Sequence, residues 1–207
     1  MGRFISFEGI EGSGKSTQVR TLADALEGDG REVVCTREPG GVGIASSEAI
    51  RELLLRTDFD LDARTELLLF LASRAEHVSR LIGPALERGA VVLTDRFADA
   101  STAYQGAGRG IDVEFVDQLS RFATGGIWPD LTILLDLAPE VGLERVRAGR
   151  SHLDRIEREA LEFHGRVREG YLDLARREPQ RFVVMSADAS PEQISRDILV
   201  TVRARLG

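Results

Sequence analysis

Gly9-Ile10-Glu11-Gly12-Ser13-Gly14-Lys15-Ser16 satisfies the pattern G-x-x-x-x-G-K-S/T at every fixed position. Arg3 to Glu8, just before it, is a short apolar run that reads as a strand. Ser16 to Glu27, just after it, reads as an amphipathic helix with Val19, Leu22, Ala23 and Leu26 on one face. Strand, glycine loop and helix N-terminus in that order are the context of a phosphate-binding P-loop. Glycines let the backbone wrap a phosphate with no Cβ atoms in the way. The exposed N–H groups and the helix dipole then attract the anion. The segment from Gly9 to Thr17 is thereby expected to hold a nucleoside triphosphate, with Lys15 at the β- and γ-phosphates and the Ser16 hydroxyl on Mg²⁺. Composition sharpens the reading: of 27 basic residues only Lys15 is lysine, and every other is arginine. The one ammonium stands where a compact cation, rather than a planar fork, fits between phosphate oxygens.

A length of 207 residues suits one domain, and 43% apolar with 29% charged residues is the composition of a soluble globular protein. A net charge of −7 argues against general affinity for nucleic acid or an anionic membrane, so the arginines must act locally. Cys35 is the sole cysteine, which excludes an internal disulfide and a thiolate metal cluster; in a strand spanning Glu32 to Thr36 it is expected in the core. With no leader ahead of the first strand and no apolar run near ~20 residues, a cytoplasmic protein is expected.

Five strands (3–8, 31–36, 90–94, 131–137 and 181–185) alternate with helices at 16–27, 44–56, 63–88, 112–124, 140–147, 155–177 and 191–206. Such alternation implies a five-stranded parallel sheet with helices on both faces, and ligands in such sheets bind beyond the C-terminal strand ends. Three charged loops are expected there: the P-loop, Arg37 to Gly41, and Asp95 to Gly110. A short basic excursion at about 148–155 has the length of a mobile lid. Asp95 closes the apolar run Val91-Val92-Leu93-Thr94, where a carboxylate suits either a water-mediated Mg²⁺ contact or a helix cap. Arg96 beside it suits a phosphate fork. Arg37 and Arg51 serve either the same region or the surface.

Taken together, these segments resemble bacterial thymidylate kinases of the P-loop nucleoside monophosphate kinase family over essentially the full chain. The resemblance is carried by residues 7–17, by Thr36-Arg37-Glu38-Pro39-Gly40-Gly41, and by Phe70-Leu71-Ala72-Ser73-Arg74-Ala75-Glu76-His77. It continues in Asp95-Arg96-Phe97, Ala103-Tyr104-Gln105-Gly106, Pro129-Asp130-Leu131-Thr132 and Leu153-Asp154-Arg155. It implies a P-loop NTPase three-layer sandwich that transfers the γ-phosphoryl of ATP to thymidine 5′-monophosphate with Mg²⁺, as a homodimer. Phe70 would stack on the thymine, while Arg74 and Gln105 would bond its edge, with Ser101 and Tyr104 nearby. Without the neighbouring motifs Phe70 reads as an ordinary core aromatic. Arg96, Arg37 and Arg51 would hold the acceptor phosphate, and Glu38 and Glu11 would lie near the sugar and the transferring phosphate. An acidic P-loop goes in this family with a basic lid, a role open to Arg145, Arg147 and Arg150; a solvated helix end is the plainer alternative. Relatives usually carry Ser followed by Thr, Ser or Asn where this chain has Ala100-Ser101. His77, His152 and His164 show no metal spacing and receive no role.

The expected activity is therefore phosphoryl transfer by positioning and charge neutralisation, with Lys15, Glu11, Arg96, Arg147 and Arg150 as catalytic residues and Ser16 and Asp95 at the metal. Alternatives are a P-loop kinase for another nucleotide or nucleoside, a GTP-dependent switch, and a non-catalytic nucleotide-binding module. The switch predicts an N-K-x-D guanine motif, and the chain contains no asparagine.

Overall fold

The computed structural model describes residues 2–149 and 152–206. Among them, five strands, β1 (Arg3–Glu8), β2 (Val33–Arg37), β3 (Val91–Asp95), β4 (Leu131–Asp136) and β5 (Phe182–Ser186), form one parallel sheet in the order β2-β3-β1-β4-β5. The first strand lies at its centre, with Ile5 opposite both Leu93 and Leu131. Strand residues alternate between two apolar layers. Ile5, Phe7, Leu93 and Ile133 join Val19, Leu22 and Leu26 of α1 (Lys15–Gly28) and Ile194, Ile198 and Val202 of α9 (Pro191–Leu206). Phe4 and Val92 point the other way, against Val78, Ile82, Ala85 and Phe97.

The remaining helices are α2 (Ala45–Leu55), α3 (Ala63–His77), α4 (Gly83–Glu87), α5 (Ala98–Ser101), α6 (Val113–Ala123), α7 (Pro139–Gly149) and α8 (Leu161–Arg177). The long helix expected over 63–88 is α3 and α4 joined through a π-helical turn, Val78–Ile82. Pro84 gives its reason: it has no N–H for the carbonyl four residues back, and its ring crowds that carbonyl, so the ladder widens there.

Three expectations need correction. Residues 98–108 are not a loop: α5 runs into a π-helical stretch, Thr102–Gly108, which packs on α8. That approach is close enough that a Cβ on Gly108 would come within 2.7 Å of the Phe163 ring. The helix expected from Arg155 begins instead at Leu161, because Asp154 caps a separate turn by accepting from the N–H groups of Ile156 and Glu157. Cys35 is exposed rather than in the core, since β2 is an edge strand whose outer side is left open at that residue. None of the described helices is long and apolar enough to cross a membrane.

Candidate active site

The P-loop joins β1 to α1. Gly14 occupies the N-cap of α1 at φ 90°, a left-handed conformation open to glycine, and no side chain caps the helix. A Cβ at Gly14 would meet nothing within 4 Å, so space lies in front of the uncapped helix end. Lys15 is buried, not solvent-facing as a loop lysine would be. Its Nζ donates to the Ile10 carbonyl at 2.8 Å and to Ser13 Oγ at 3.2 Å, folding the side chain along the loop. Burial, with Arg96 adding repulsion, pushes its ammonium down to about 8 despite nearby Asp95 and Glu11. The Ser16 hydroxyl donates to Asp95 Oδ2 in a short contact that spans the loop and the end of β3.

Arg96 follows Asp95 at φ 73°, uncommon for a residue with a side chain. Its backbone is held on both sides: its N–H donates to the Phe7 carbonyl, Thr94 Oγ1 donates to its carbonyl, and the next N–H, of Phe97, donates to Glu8. The guanidinium donates to Gly9 O at 2.6 Å and Glu11 Oε1 at 2.9 Å, and lies over the Tyr104 ring at 4.9 Å. Glu11 Oε1 also accepts from the Tyr104 hydroxyl, and His164 Nδ1 stands 3.3 Å from Oε2. Burial alone would raise the Glu11 pKa, but Arg96, His164 and Lys15 hold it well below the usual carboxylate range. Glu8, at the end of β1, is driven the opposite way by burial and by neighbouring Asp99.

A second set of side chains lies across the cavity. Arg74 and Glu38 form a buried pair at 2.7 Å, and His77 bonds Glu38 Oε1 and Thr36 Oγ1. Arg74 Nη2 donates to Ser101 Oγ and the Phe97 carbonyl, while its Nη1 is buried without a partner among the described residues. Such an orphaned donor is costly unless a ligand meets it. Arg37 donates to Glu48, and Arg51 to the carbonyl of Pro39, whose peptide bond to Glu38 is cis.

A cavity of about 520 Å³ unites the two sets. Glu11, Gly12, Gly14, Lys15, Ser16 and Thr17 line one end, Phe70, Arg74, Ser101, Tyr104 and Gln105 the other, with Arg37, Glu38, Arg51, Asp95 and Arg96 between them. Gly9, Ile10 and Ser13 support the loop without lining it. Arg147 is exposed and outside the cavity wall, whereas Arg145 lines it and donates to the Ala187 carbonyl. Two residues along a helix amount to roughly 200° of rotation, so the two arginines cannot share a face. Arg150 lies outside the described residues. Sequence reasoning passed over His77 and His164: both are buried against site carboxylates, and no spacing rule marks a histidine whose partner is far along the chain.

The thymidylate kinase family model matches residues 7–198. The thymidylate kinase of Pelobacter propionicus is 52% identical, over 98% of this chain and 94% of that protein. That of Symbiobacterium thermophilum is 54% identical, over 96% and 91%. The crystal structure of thymidylate kinase from Ehrlichia chaffeensis superposes with a TM-score of 0.79 at 34% identity, covering 97% of this chain and 98% of that one. With sheet order, P-loop and cavity as described, and likeness extending over nearly every residue, this chain belongs to the thymidylate kinase family.

Proposed function

We propose that this protein transfers the γ-phosphoryl group of ATP to the 5′-phosphate of thymidine monophosphate, giving the diphosphate for dTTP synthesis. The observation that carries the reading is the single cavity in which the P-loop faces an aromatic, an orphaned arginine donor and a glutamine. The P-loop and Lys15 hold the donor phosphates. Arg37, Arg51 and Arg96 lie where an acceptor phosphate would be drawn in, and Glu11 clamps Arg96 so that little reorganisation is left for the reaction itself. Phe70 offers a face for stacking, and Arg74 Nη1 a donor for thymine O4. Ser101 and Tyr104 fix Arg74 and Glu11 in place. Catalysis is positioning and charge neutralisation. A Mg²⁺ ion fits the donor set: Ser16 and Asp95 supply hard oxygens at the cavity, a sparse set matched to an ion that keeps most of its ligands as water and phosphate. When bound, it would neutralise charge on the β- and γ-phosphates. The cations beside a lid at about 148–155, on an otherwise single domain of residues 1–207, are Arg145, which already lines the cavity, and Arg150; Arg147, outside the cavity wall on α7, would join them only if that helix end turned on closure.

A homodimer through α3 and α6, in the cytoplasm where ATP is supplied, completes the reading. Support for the dimer comes from Leu68, Phe115 and Phe122, which lie exposed on two helices packed side by side. The test is a screen of nucleoside monophosphates with Mg-ATP. Thymidine monophosphate should be the best acceptor and deoxyuridine monophosphate a poorer one, lacking only the methyl. Deoxycytidine monophosphate should fall tenfold or more below it, since an unpaired buried donor costs about 1–3 kcal/mol. Preference for a cytosine or adenine nucleotide would defeat the substrate assignment, and no ADP release with any acceptor would defeat the kinase.

A further inference from the structure

Glu66 is a buried carboxylate on α3, one helical turn before Phe70 and two before Arg74, and no step described so far uses it. Four donors converge on it. Gln105 Nε2 donates to Oε1 at 2.9 Å, Arg109 reaches both oxygens through Nε at 3.2 Å and Nη2 at 3.1 Å, and Arg155 Nη1 lies 2.6 Å from Oε2. Burial would raise its pKa, but Arg109, Gln105 and Arg155 together hold it below the usual value, so it stays ionised. An ionised carboxylate can only accept.

That restriction settles a choice which Gln105 could not make alone. A glutamine amide can present either its N–H₂ or its carbonyl to a ligand. Here the N–H₂ is committed to Glu66, and Oε1 meets no donor among the described residues although Gln105 lines the cavity. We propose that Glu66 is a specificity-determining positioning residue, which locks the Gln105 amide so that its carbonyl oxygen faces the base and accepts from a ring N–H. The inference rests on the thymidine monophosphate reading above. It selects bases protonated at N3, thymine and uracil, and sets two acceptors face to face when the base is cytosine. The same carboxylate also bonds Arg155, the last residue of the lid segment, whose Nε donates to the Leu54 carbonyl of α2. A purely structural role for Glu66 would act through that anchor instead.

The test compares wild type, Glu66→Gln and Arg155→Met. The acceptors are thymidine monophosphate and 5-methyldeoxycytidine monophosphate, which share a methyl and differ only at the N3–C4 edge. Glutamine at 66 can donate as well as accept, so the Gln105 amide becomes free to turn. The kcat/KM preference for the thymine nucleotide should fall by about tenfold in Glu66→Gln, the worth of one mispaired buried hydrogen bond. In Arg155→Met kcat should fall while the preference stays within twofold of wild type. An unchanged preference in a folded Glu66→Gln, or equal losses of preference in both variants, would overturn the proposal. A wild type without preference for thymine would instead overturn the substrate reading. If Glu66→Gln does not fold, the Gln105 side-chain N–H₂ resonance of the wild type decides. Slow hydrogen exchange retained on adding thymidine monophosphate supports the lock, and protection lost on binding refutes it.

Discussion

Lys15 answers two opposing demands. Its ammonium is buried, which disfavours charge, yet it must be charged when phosphate arrives. The loop satisfies the ammonium meanwhile with the Ile10 carbonyl and Ser13 Oγ. Lys15→Met should keep the fold, because Ile10 O still accepts from Ser13 Oγ at 2.9 Å and an unbranched side chain fills the space. Turnover should drop by roughly a hundredfold or more, since the lost cation acts where charge develops. Circular dichroism and steady-state rates check both halves. The depressed pKa adds a pH dependence. In the free enzyme Lys15 is charged below about 8 and loses its proton above it, so kcat/KM for ATP should fall as pH rises through about 8. Bound phosphate favours the ammonium and should carry the corresponding fall in kcat to higher pH. A kcat/KM profile that stays flat well above pH 8 would remove Lys15 from the phosphate site. At this scale the sequence was most informative for the P-loop, which residue type in a local pattern marks; Arg74 was marked only through the resemblance to thymidylate kinases. It was silent on Glu66, His77 and His164, whose partners lie 39 to 153 positions away along the chain and meet only once the helices have packed.

The P-loop and α7 touch backbone to backbone. A Cβ on Gly142 would stand 2.4 Å from the Glu11 carbonyl oxygen, and one on Gly12 would stand 2.2 Å from the Gly142 oxygen. No side chain can rotate away from such a contact, so Gly142→Ala must move the helix off the loop. We expect a loss of about 1–3 kcal/mol, as for overpacking elsewhere, and a raised KM for ATP. Gly165→Ala serves as the control: it lies inside α8 with nothing within 4 Å of the added methyl, and should be neutral or stabilising by up to about 1 kcal/mol. Thermal melts and ATP titrations of the two variants separate them. Equal melting points would show that the loop and α7 move independently. Strands and long helices were legible because apolar periodicity is local. The π-helical stretch carrying Tyr104 and Gln105 was not, since its form depends on close packing against α8 that no local pattern encodes.

Across the whole molecule, the helix that presents Phe70 and Arg74 inward presents Leu68 outward at 61% exposure, beside Phe115 at 52% and Phe122 at 88% on α6. Three large apolar side chains on two neighbouring helices form a face suited to a second copy of the chain. Phe122→Glu should convert the proposed dimer to a monomer by sedimentation velocity, because a carboxylate buried without a partner is costly. Val200→Glu, at an exposed position on α9, should leave the assembly intact. A monomeric wild type would refute the dimer. The layered architecture was the most legible property, because alternating strands and helices leave few ways to cover a parallel sheet. One compositional feature also makes the molecule its own reporter. With a single lysine in the chain, amine-directed acylation or reductive methylation has one side-chain target, and that target lies in the donor-phosphate cavity. Its depressed pKa supplies free amine near neutrality. Labelling of that one atom, counted by mass against nucleotide added, is therefore a direct measure of how full the phosphate site is, with no engineered tag and no background from other side-chain amines.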